Sequence, residues 1–165
     1  MPPIVEAGWR DDKNIADTGA LQAHGPTLQV MVGGFPGTSV TMSCAVPALI
    51  DTGAQESCID QTFAQSLGLP VIDTIPMAGV GGINQHPVFL AQLMIPELNW
   101  GQYGRFAGVA LADGGQHHKV LLGRTALSSM IMIYDGLRAQ ITVITPQNIP
   151  LAPTLPLGVI PPPAS

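Results

Sequence analysis

Apolar and polar positions alternate at a period of two through much of this chain, and clusters of glycine and proline interrupt the alternation before any long helical period builds up. From Thr27, the apolar Leu28, Val30 and Val32 alternate with Gln29, Met31 and Gly33, the pattern of a half-buried strand. A Pro-Gly turn at 34–37 and renewed alternation at 39–43 predict a hairpin. It leads into the apolar run 45–50, which reads as a buried strand feeding a tight glycine turn at Asp51, Thr52 and Gly53. Asp60 is placed to cap a short helix over 61–67 that Gly68 stops. A second hairpin is expected over 75–92, with the glycine-rich tip Gly79, Val80, Gly81, Gly82 and Ile83. Further strands are expected over 88–112, broken at Pro96 and 101–104, followed by a turn at 113–115.

A second apolar approach, 119–122, ends in Gly123 and Arg124, after which Thr125 is expected to cap a helix with Leu127, Met130 and Ile131 as apolar positions. Asp135-Gly136 signals a hairpin, and 140–144 the last strand. The two halves thus repeat one scheme of hairpin, apolar strand, glycine turn and helix. Residues 1–26 read as an N-terminal arm with at most one short strand. Residues 145–165 read as a Pro-rich tail, because proline cannot join a central strand. The domain proper is 27–144.

Composition agrees with an all-β class. The 165 residues are 46% apolar and 10% charged, with 19 glycines and 16 prolines, enough apolar content for one core and many turns. A net charge of -5 without a basic stripe argues against a nucleic-acid partner. No apolar stretch approaches the roughly 20 residues of a membrane span. The first 25 residues lack the basic-then-apolar layout of a signal peptide, so no membrane is expected in this chain and a cytoplasmic setting is favoured. Cys44 and Cys58 flank Asp51 in apolar surroundings and read as two buried thiols, with a disulfide as the alternative in an oxidising compartment.

The chemistry concentrates at 48–60, ALIDTGAQESCID. An aspartate behind an apolar strand, followed by Thr and Gly, presents one carboxylate at a tight turn. Hydrolysis by a carboxylate pair needs two that share a proton, one ionised to activate water and one protonated to polarise the carbonyl. The same tetrapeptide recurs at Asp17, Thr18, Gly19 and Ala20, but after the solvated Asp11, Asp12, Lys13 and Asn14, and it reads as a decoy. Thirty-four positions between the two aspartates are far too few for two lobes of roughly 100 residues each. A single usable Asp51 therefore requires a second copy of the chain.

Other chemistries are weak. The tip at 79–83 has no Lys-Ser or Lys-Thr after it and no strand-to-helix junction, so it does not read as a phosphate loop. His117 and His118 are adjacent, and on a strand would face opposite ways; His24 and His86 look isolated, so no metal is expected. Ser57 and Cys58 lie in no nucleophile signature.

These residues together resemble the retropepsin-like aspartic proteases, the retroviral-type enzymes and their cellular relatives. The likeness rests on four features in order: the apolar-apolar-Asp-Thr-Gly-Ala of 49–54, the helix with Leu67-Gly68-Leu69, the glycine-rich 79–82, and the Leu-Gly-Arg of 122–124 with its helix. It implies a closed, barrel-like single domain with one or two short helices and a flap hairpin. It also implies a homodimer that cleaves peptides without a cofactor. Asp51 would be catalytic and pair with its twin, with Thr52 bonding the partner's backbone and Gly53 permitting the turn. Ala54, Gln55 and the flap residues Gly79, Val80, Gly81, Gly82 and Ile83 would bind an extended peptide. Leu122, Gly123 and Arg124 would support the site, Arg124 tying the helix start to the loop after Asp51.

Gln55 stands where retroviral enzymes usually carry Asp, so an Arg124 ion pair there must become a hydrogen bond or shift to Glu56. A cleft lined by Val80, Ile83 and Leu122 would favour apolar side chains. The alternative is a non-catalytic peptide-binding or assembly module on the same fold.

Overall fold

Strand-forming runs this short bury their apolar faces only by pairing, and in the computed structural model they pair into a ring. The structure describes residues 2–35, 37–79 and 82–146. The expected flap tip Val80-Gly81, Pro36 of the first turn and most of the expected tail lie outside the described residues. The ring strands are β2 (Thr27–Gly33), β3 (Val46–Ile50), β4 (Cys58–Asp60), β6 (Gly82–Ile95), β7 (Trp100–Val109) and β8 (Val120–Leu122). They pair in the order β2-β3-β8-β4-β7-β6, and β6 returns to pair with β2, closing the circuit. β5 (Val71–Gly79) stands outside it, paired with β6 in a long hairpin that runs to Gly79↔Gly82.

The core fills the ring. Val30, Val32, Ile59, Phe89, Leu93, Phe106, Val120 and Leu122 are buried almost completely. Phe89 and Phe106 are direct cross-strand partners, and burying each such ring is worth roughly 1.5–3 kcal/mol.

A second sheet is formed by β1 (Ile4–Ala7), β10 (Gln140–Ile144) and β9 (Ile131–Asp135), paired in that order. The stretch 1–26 therefore carries the one short strand expected of it and, in addition, helix α1 (Thr18–His24), whose Leu21 reaches the core. Asp17 is the N-cap, its carboxylate accepting from the Ala20 N–H at 2.9 Å. The second Asp-Thr-Gly-Ala is thus a helix start rather than solvated coil. Thr145, expected to open the tail, is buried, and its hydroxyl donates to the Leu98 carbonyl at 3.0 Å.

Local signals held where local bonds decide. Helix α2 (Gln61–Ser66) is capped by Asp60 through the Phe63 N–H, and Gly68 ends it at φ 72°. Several expectations give way to tertiary pairing. No strand forms at 39–43, although Ser43 meets β2 there, its hydroxyl accepting from the Val32 N–H and its own N–H donating to the Val32 carbonyl. Gly101 and Gly104, expected to break the chain, lie inside β7, held by pairing to Met94 and Ala91. Helix α3 (Arg124–Leu127) starts at the cap Gly123 rather than Thr125 and ends before Met130, while Ile131 opens β9.

Candidate active site

Inside the ring, the two apolar approaches recognised in the sequence lie side by side. β3 and β8 run parallel, with Ile50 opposite Leu122, and the Asp51 N–H continues the ladder by donating to the Leu122 carbonyl at 3.0 Å. Ala48 and Ile50 point into the core, so the chain emerges from the barrel at Asp51. Its Oδ1 then accepts the N–H groups of Gly53 (2.9 Å) and Ala54 (3.2 Å), fixing the turn around the carboxylate. Asp51 is half-buried and Thr52 and Gly53 are exposed, which leaves the acid accessible at the rim.

The loop after Asp51 is then locked to the helix after β8. Arg124 and Thr125 donate their N–H groups to the carbonyls of Ala54 and Gln55, each at 3.0 Å, and the Gly123 N–H donates to the Ser57 hydroxyl at 3.1 Å. The loops approach so closely at Gly123 that a Cβ there would lie 2.5 Å from the Glu56 carbonyl. Arg124 Nη1 donates to the carbonyls of Thr52 (2.9 Å) and Gly53 (2.8 Å). Of the two substitutes expected for the missing Asp partner, the structure uses hydrogen bonds. No Arg124–Glu56 ion pair forms among the described residues.

Beside this turn opens a cavity of about 510 Å³. It is lined by the loop 54–58, by Ile75 and Met77 of β5, by Val88 of β6, and by Arg105 and Ala107 of β7. Ala54 and Gln55 line it as expected positions. The anticipated apolar lining differs: Leu122 is fully buried in the core, and Ile83 is 74% exposed outside the cavity. The period of two decides the position of Leu122, since Val120 and Leu122 share the inward face of β8. Ile75, Met77, Val88, Arg105 and Ala107 were not singled out from sequence. The alternation of Ile75 and Met77 along one face of β5 was the available signal.

Cys58, in the lining, has its thiol pushed up to about 11 by burial, with the charges of Asp51 and Glu56 adding to it. Such a shift favours the neutral thiol, the poorly nucleophilic form, at physiological pH. Neither cysteine is in a disulfide, and Cys44 is exposed rather than buried.

His24 is not isolated. Its ring lies 4.8 Å from that of His117 and 5.1 Å from Trp9, at the foot of α1. His118 is buried beside them, its Nε2 bonded to the Thr27 hydroxyl at 2.8 Å. Burial, followed by the neighbouring His24 and His117, lowers its pKa. Among the described residues no group of His, Cys, Asp and Glu is arranged to hold a metal ion. His86 Nδ1 meets the Gly108 carbonyl at 2.8 Å.

Residues 41–129, more than half of the chain, match the model of the gag-polyprotein putative aspartyl protease family. The chain belongs to this retropepsin-like family of aspartyl proteases. Among curated proteins, none matches the sequence. A retropepsin-like aspartic protease from Rickettsia conorii is similar in structure at 13% identity and a TM-score of 0.45, over 87% of this chain and 92% of that one. The simian foamy virus (mac) protease is similar at 17% identity and a TM-score of 0.41, over 62% of this chain and 91% of that one.

Proposed function

We propose that the chain is an aspartic endopeptidase that works as a homodimer, with Asp51 of each subunit supplying half of the catalytic pair. The observation that carries the reading is a single Asp51 held at an accessible turn by two backbone N–H groups, in a chain of an aspartyl-protease family. One carboxylate cannot both accept a proton from water and donate one to the carbonyl oxygen, whereas two that share a proton can. The ionised Asp51 takes a proton from water as it attacks the peptide carbonyl, and its protonated twin gives its proton to the carbonyl oxygen, forming a tetrahedral diol. The diol then collapses as Asp51 passes its proton to the leaving nitrogen and the twin takes one back from a diol hydroxyl. No covalent intermediate forms.

Several features support the reading. Each loop tip is exposed at Thr52 and Gly53, as a meeting across a two-fold axis requires. The β1-β10-β9 sheet presents Ile4, Ile144 and Ile131 in one register row and Ile133 two rows on, on the same face. Of these, Ile4, Ile131 and Ile133 are exposed at 41–55%, apolar surface that association would cover. The β5–β6 hairpin, as a flap, would close over an extended peptide and exclude water.

Dissociation separates the two carboxylates, so specific activity should fall steeply when the protein is diluted through its dimer dissociation constant. Sedimentation over the same concentration series should show monomer replacing dimer in step. Constant specific activity from a species that sediments as a monomer would refute the proposal.

A further inference from the structure

The cavity beside the Asp51 turn is lined mainly by apolar residues, but two charged residues, Glu56 and Arg105, also line it, and they differ in how they are satisfied. The Arg105 guanidinium donates to Asp73 of β5. The Thr74 N–H and Arg105 together hold the Asp73 carboxyl below the usual range, so the pair is ionic and the charge of Arg105 is already answered. Glu56 has no cation within ion-pair distance among the described residues. The lining therefore carries a net negative charge. Cys58, also in the lining, feels the charges of both Asp51 and Glu56, which add to the effect of burial on its thiol.

Resting on the proteolytic reading above, we propose that this cavity is the subsite for a lysine or arginine of the substrate and that Glu56 determines the preference. The aliphatic stem lies against Ile75, Met77, Val88 and Ala107 while the cationic head meets the exposed Glu56, the geometry in which long basic side chains cover apolar surface and keep their charge wet. A purely apolar side chain fits the apolar lining but strips water from Glu56 without replacing it. An acidic one is repelled by Glu56 and finds Arg105 occupied. The expectation of apolar side chains at the cut is thereby sharpened at this subsite to an apolar stem with a basic end.

The test is a peptide library with each position varied in turn, digested by wild type, Asp51→Asn, Glu56→Gln and Asp73→Asn, with kcat and KM resolved for the best substrates. Wild type should show one position at which Lys and Arg exceed Glu by about tenfold in kcat/KM. Glu56→Gln should reduce the ratio of basic to apolar cleavage there about fivefold, mainly through KM, the scale of one solvated charge pair. Asp73→Asn, which frees Arg105, should raise cleavage of peptides with Glu at that position. Asp51-dependent cleavage with no basic preference, or with one that Glu56→Gln leaves intact, overturns the subsite assignment alone. Absence of any Asp51-dependent cleavage overturns the proteolytic reading and the subsite with it.

Discussion

Replacing Asp51 with Asn is expected to abolish peptide hydrolysis, by about 10³-fold or more in kcat, while leaving the fold intact. The chemical half of this expectation follows from proton bookkeeping: an amide neither accepts a proton from water nor holds one to share, so both roles of the pair are lost at once. The structural half follows from the turn. Asp51 Oδ1 accepts the N–H groups of Gly53 and Ala54, and the amide oxygen of Asn keeps both bonds. Thermal unfolding of the variant should stay within a few degrees of wild type. Hydrolysis surviving within about tenfold of wild type would show that the reacting water is activated elsewhere. Peptide binding that persists without Asp51-dependent cleavage in wild type would leave the peptide-binding module as the function.

The second large effect is expected at Gly123, on stability. A Cβ there would lie 2.5 Å from both the carbonyl carbon and oxygen of Glu56 and 2.9 Å from the Gln55 oxygen. All three are backbone atoms, and their loop is pinned by the N–H groups of Arg124 and Thr125 and by Arg124 Nη1. Nothing flexible is available to yield, so Gly123→Ala must pry apart the two loops that hold Asp51 in place. A loss of about 3 kcal/mol or more in urea-induced unfolding is expected, with activity lost in parallel.

Gly19→Ala is the matched control. Gly19 lies in α1, where a Cβ finds its nearest contact at 3.4 Å, and alanine is the better helix former. That variant should be neutral or slightly more stable. Equal stability of Gly123→Ala and wild type would mean that the loop crossing is looser than described.

The two copies of one tetrapeptide show what was legible in the sequence. Asp-Thr-Gly-Ala occurs twice, and at both sites the aspartate accepts from the N–H three residues on. What separates them is the preceding run: the apolar strand before Asp51 could be read directly, and it is buried beside β8 as such runs are when parallel pairing covers them. The cap at Asp60 and the stop at Gly68 were equally readable, because the bonds that make them span a few residues.

Long-range pairing was not readable, and it accounts for the differences. Thr125 looked like a helix cap, but its N–H and that of Arg124 are taken by carbonyls some seventy positions earlier in the chain, so the helix start moved to Gly123. Gly101 and Gly104 looked like breaks, but β6 supplies a ladder that holds them extended. The meeting of His24 with His117 joins α1 to the loop before β8, and that of Arg105 with Asp73 joins β7 to β5 across β6, neighbours that only the tertiary fold creates. The cavity wall lay half in view: Ile75 and Met77 announced one face of β5, while Val88 and Ala107 reach the same space only through the β5–β6–β7 register.

The account turns on two copies of Asp51 acting on one bond, and subunit mixing tests this most directly. Wild-type and Asp51→Asn subunits, allowed to exchange fully at constant total concentration, should give activity proportional to the square of the wild-type fraction, so that an equal mixture retains about one quarter of the activity. A straight-line decline, with about one half retained at equal mixing, would mean that each subunit carries a complete site and would contradict the shared pair.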